Sequence, residues 1–69
     1  MKQVRDLRVG DILLFKNKES RLITRIDYDP HMREPYAIHT TDLANGKPRL
    51  DTYDASDPVK VWDTQEALF

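Results

Sequence analysis

Apolar residues along this chain alternate with polar ones and do not recur every three or four positions, so the pattern predicts strands rather than helices. Asp11-Ile12-Leu13-Leu14-Phe15-Lys16 is a short apolar run between Gly10 and Asn17-Lys18. From Arg21 to Asp29, Leu22, Thr24, Ile26 and Tyr28 share one parity, and Ile23, Arg25 and Asp27 take the other. From Tyr36 to Leu43, Tyr36, Ile38 and Thr40 alternate with Ala37, His39 and Thr41. Arg49 to Tyr53 and Val59 to Trp62 complete five predicted strands.

Turn residues separate the strands. Asn17-Lys18-Glu19-Ser20 is a tight polar connection that predicts a hairpin between the first two. Pro30 and Pro35 bound a longer loop, since proline cannot donate to a ladder. Ala44-Asn45-Gly46-Lys47 is the strongest turn signal. A three-residue loop with left-handed Gly46 pairs Leu43 with Lys47, Thr40 with Leu50 and His39 with Asp51. That register is preferred over a two-residue turn because it gathers Ile38 and Leu50 on one face. Asp54 to Pro58 form the last turn, and the tail from Thr64 to Phe69 suits one short helical turn. The expected fold is all-β: a small five-stranded antiparallel, strongly bent barrel, forming a single domain over 1–69.

On this pattern Ile12, Leu14, Leu22, Ile26, Ile38, Leu50, Val59 and Val61 fill the interior. Leu13, Phe15, Ile23 and Trp62 then point outward and make the first candidate surface, for a protein partner. The plainer alternative covers them with Val4, Leu68 and Phe69 from the two ends of the chain.

At Leu7-Arg8-Val9-Gly10-Asp11-Ile12-Leu13-Leu14 the chain resembles the lead-in to Src-homology-three-like small barrels of the Tudor and KOW kind. Gly10 and Asp11 match the turn, and Leu7, Val9, Ile12 and Leu14 match the apolar positions. The resemblance covers about ten residues closely and implies an SH3-like barrel serving as an adaptor. Such barrels bind peptides, RNA, RNA polymerase or the ribosome, so the fold selects no one ligand. The spacing of the six aromatic residues does not establish that any four converge as a methyl-reading cage, and the chain lacks the basic character usual in KOW nucleic-acid binders.

Composition narrows the choice. The chain has 69 residues, no cysteine, two glycines and a net charge of −1, which excludes disulfides and cysteine chemistry. Neither an apolar run of about 20 residues nor a basic-then-apolar start is present, so a cytoplasmic protein without a membrane span is expected. Residues 1–34 carry eight Lys/Arg against six Asp/Glu, whereas 35–69 carry three against six. The basic half suggests a second surface, Arg5, Arg8, Lys16, Lys18, Arg21 and Arg25 with Phe15 and Tyr28 between them, suited to RNA or DNA. A third, acidic, surface comprises Asp51, Asp54, Asp57, Asp63 and Glu66. Asp27, Asp29, His31 and His39 are the only metal-like group, and nothing in their spacing requires an ion, so neither metal nor cofactor is expected.

Ser20 and Ser56 sit in turns with no base placed beside them, and two glycines make no phosphate loop. A barrel this small also offers little room for a desolvated pocket of the size substrates usually need. The expectation is therefore a non-enzymatic adaptor for a protein partner, such as one of the transcription or translation machinery. Direct RNA or DNA binding and a self-associating structural module are the alternatives.

Overall fold

The computed structural model describes residues 2–62, and the expected helical turn at 64–69 lies outside them. The described chain is all-β. Six strands are present: β1 (Lys2–Gln3), β2 (Ile12–Leu14), β3 (Ser20–Tyr28), β4 (Tyr36–Asp42), β5 (Pro48–Tyr53) and β6 (Pro58–Val61). A single 3-10 turn, Val4–Asp6, follows β1. The strands form one antiparallel sheet in the order β1-β6-β2-β3-β4-β5. Its ladder does not close, and β1 and β5 are its edges. The sequence suggests five strands because β1, two residues paired with Val59 and Pro58, is too short to show a period.

The lead-in at Gly10-Asp11 is a tight turn. Gly10 has φ +98°, a left-handed conformation that side chains disfavour. The Asp11 carboxylate accepts the Arg8 N–H at 3.0 Å. Beyond it, Gly10 N–H donates to Ile23 C=O and Ile23 N–H to Asp11 C=O, both at 2.9 Å, which extends the β2–β3 ladder past its Ile12–Leu22 pair.

Val4, Leu7, Leu13, Ile23 and Ile38 are the buried core, with Phe15, Ile26, Tyr36, Tyr53, Val59 and Val61 packed around them. This reverses the expected faces of β2 and the first half of β3. Leu13 and Ile23, expected outside, are only 3% and 1% exposed, while Ile12, Leu14 and Leu22 are half-buried on the other parity. A β-bulge explains how Ile23 and Ile26 both face inward. Ile23 opposes Thr40 and Arg25 opposes His39, leaving Thr24 as an extra residue. One extra residue shifts the parity, so neither half of β3 can be assigned from the other by simple alternation.

The β4–β5 register also differs from both turns considered. Ile38 opposes Asp51, His39 opposes Leu50 and Thr40 opposes Arg49. The loop therefore spans four residues, 43–46, between Asp42 and Lys47. Asp42 N–H donates to Lys47 C=O at 2.9 Å, and Gly46 N–H donates to Asp42 C=O at 2.7 Å. The buried Asp42 carboxylate also accepts the Ala44 N–H at 2.8 Å, an Asx turn that fixes this longer loop. Leu50 consequently faces solvent at 57% exposure rather than entering the core.

Candidate partner groove

One end of the sheet opens into a groove of about 750 Å³. Its position follows from three connections. The β2–β3 turn is closed by Phe15 N–H donating to Glu19 C=O and Lys18 N–H donating to Phe15 C=O, both at 3.0 Å. Lys18 takes φ 68° there, and the Asn17 side chain accepts the Glu19 N–H at 3.1 Å. This turn carries Phe15, Lys16 and Lys18 to the groove. The β5–β6 turn is held by Asp57, whose carboxylate accepts the Asp54 N–H at 2.9 Å. Val4 N–H and Arg5 N–H pin the same turn, donating to Asp57 C=O at 3.0 Å and Ala55 C=O at 3.1 Å. Tyr53 and Pro58 at its two ends therefore face the groove beside Val59 and Lys60.

Arg21 braces the Phe15 side of this region. Its guanidinium carbon lies 4.2 Å from the Phe15 ring centre, a cation–π contact. Its Nε and Nη2 donate to one Glu19 carboxylate oxygen at 3.1 and 2.6 Å, and its Nη1 donates to Asp51 at 3.1 Å. Hydrogen bonding to Arg21 holds the Glu19 carboxyl below its ordinary range and, from the other side, raises Arg21. Burial pushes the Tyr53 phenol up, with the Asp51 charge adding to it.

The expected protein-binding set comes together only in part: Leu13 and Phe15 both line the groove, and Ile23 and Trp62 do not. Leu13 and Ile23 belong to the core. Phe15 is half-buried under Arg21, while Trp62 is 47% exposed where its N–H donates to Ile12 C=O. Phe15 and Trp62 thus lie at opposite ends of β2, about 10 Å apart along the strand.

The basic set divides as well. Arg5 and Arg8 lie exposed on the N-terminal segment, Lys16 and Lys18 on the β2–β3 turn, and Arg21 is locked to two carboxylates. Arg25 is on the outer face, its Nε donating to Asp27 at 2.9 Å. Of the acidic set, Asp51 joins Arg21 and Asp54 and Asp57 shape a turn, while Asp63 and Glu66 lie outside the described residues. His39, expected opposite Asp51, instead meets Asp27 at 3.0 Å between Nε2 and the carboxylate. Among the described residues no three potential metal ligands gather.

The groove is open to solvent, and the sequence alone does not indicate it. Pro58, Val59 and Lys60 reach it through the long-range pairing of β6 with β2, which no local pattern announces, and Tyr53 stands at the other end of the turn that leads into β6. No protein-family model matches the chain, and no curated protein matches it significantly.

Proposed function

We propose that the protein is a non-enzymatic binding module that holds part of a partner protein in the groove between Phe15, Tyr53 and Val59. The observation that carries this reading is the groove: about 750 Å³, open, and floored by aromatic and aliphatic side chains. The reading treats the bent sheet as an opened small barrel of the SH3-like kind, with the transcription or translation machinery supplying the partner class. Binding of RNA or DNA through the first hairpin has less support. Arg21 and Arg25 are each engaged by carboxylates, and Arg21 covers one face of the Phe15 ring that base stacking would use.

The test is crosslinking capture by the full chain, with and without nuclease, followed by affinity measurement on the purified pair. Pro58→Trp fills the groove from an exposed position, so circular dichroism should report a folded variant. Partner affinity should fall at least about tenfold, the loss typical of an obstructed contact centre. Unchanged affinity, or capture abolished by nuclease, would reject the reading.

A further inference from the structure

We propose, resting on the partner-groove reading above, that the groove takes an acidic protein segment built around a bulky apolar residue. Three lysines from two parts of the fold stand at its rim: Lys16 and Lys18 from the β2–β3 turn and Lys60 from β6. Among the described residues none of the three forms an ion pair. The one carboxylate lining the groove, Glu19, accepts two hydrogen bonds from Arg21 and is thereby turned to an internal partner. The rim therefore presents ammonium groups whose charge is not cancelled at contact distance, around a floor of Leu13, Phe15, Tyr53, Pro58 and Val59.

Each part selects a different feature of the occupant. The floor gains from an inserted leucine, phenylalanine or tryptophan, because removing such a side chain from water is the main source of contact energy. The rim favours carboxylates flanking that anchor and disfavours basic segments, so charge sets the choice of partner and the speed of encounter. A nucleic acid fits less well. It needs cations tracking a backbone, whereas Arg5, Arg8 and Arg25 are elsewhere and the three lysines line one mainly apolar groove.

The experiment is selection of a random 12-residue peptide library on the full-length chain, followed by anisotropy with the selected peptides. The expected winners carry Asp or Glu around Leu, Phe or Trp. They should bind at least about tenfold more weakly to the triple variant K16E/K18E/K60E, and more weakly in high salt. They should also lose binding to P58W. Neutral or basic winners that P58W blocks but the triple variant does not would overturn the acidic occupant while leaving the partner groove standing. An absence of P58W-sensitive winners would remove the groove reading and this inference with it. Displacement of the peptide by oligothymidylate would assign the site to nucleic acid instead. A P58W-sensitive doubling of mass on concentration would assign it to a second copy. Tighter peptide binding by D63A/E66A would assign it to the chain's own 63–69 segment.

Discussion

Arg21 and Arg25 lie four residues apart on β3, yet their side chains are 12% and 70% exposed. In an unbroken strand, positions four apart share a face. Thr24 changes that. It and Arg25 together occupy the place opposite His39, and the Thr24 hydroxyl donates to His39 C=O at 3.3 Å. Arg21 and Ile23 therefore turn toward the core side, while Arg25 joins Asp27 and His39 on the outer face. The same residue type becomes a brace on one side and a solvated charge on the other. Local position relative to one bulge decides which.

The harshest test of this division is deletion within β3. Removing Leu22 shifts Arg21 to the parity opposite Ile23 and breaks the Ile12–Leu22 pair. No cooperative thermal transition is expected, since a slipped strand exchanges its core and solvent faces. Removing Thr24 eliminates only the extra residue and leaves Arg21, Ile23 and Ile26 on one parity. A cooperative melt, followed by circular dichroism, should persist. Equal loss of folding in both deletions would show that the bend at the bulge, and not the facing of side chains, is what the fold requires.

Replacing each arginine compares the two sides directly. Arg21→Ala removes the contact over Phe15 and leaves Glu19 and Asp51 without their common donor, so it should destabilise the chain by about 2 kcal/mol. Arg25→Ala removes a solvent-exposed pair and should lower the urea midpoint only slightly, far less than Arg21→Ala. Equal effects would contradict the distinction between brace and surface charge.

The sequence makes much of the inventory legible, and particular residues show where it stops. Gly10 and Gly46 both take positive φ at predicted turns, since few other residues tolerate it. The long strands fall where alternation and prolines place them. The faces of β2 and β3 do not, because the parity break at Thr24 arises in pairing with β4, beyond the reach of a local period. Leu50 was similarly unreadable. The buried Asp42, rather than Asn45-Gly46 alone, sets a four-residue loop and turns Leu50 outward. The groove joins Phe15 and Lys18 to Tyr53 and Lys60, residues brought together only by the sheet order.

The core side contains an uncompensated polar group directly across from Ile23. Thr40 is 3% exposed, and among the described residues its hydroxyl has no hydrogen-bond partner. Thr40→Val keeps the branched shape and replaces that hydroxyl with a methyl group. It should raise stability by about 1 kcal/mol in urea unfolding, because an unpaired buried hydroxyl is costly to desolvate. A loss of stability instead would mean that the hydroxyl is satisfied in solution, and the packing around Ile23 would need revision.

The smallest expected difference concerns acid. Hydrogen bonding to Arg21 lowers Glu19 from its ordinary 4.5, and hydrogen bonding to Arg25, then to His39, lowers Asp27 from 3.8. A carboxyl whose folded value is depressed contributes stability that is fully present above its ordinary value. That contribution is lost as pH falls through the depressed folded value. Stability should therefore decline on the acid side, beginning below about pH 5, and both Glu19→Gln and Asp27→Asn should flatten the decline. Salt separates the two sites. Glu19 is bound to an arginine only 12% exposed, whereas Asp27 faces one 70% exposed, so added salt should weaken the Asp27 contribution more. Urea midpoints from pH 7 to pH 3, at low and high salt, give the comparison. Persistence of the Glu19 effect in high salt while that of Asp27 fades would extend the contrast across the bulge from geometry to electrostatics. Equal screening would confine it to geometry.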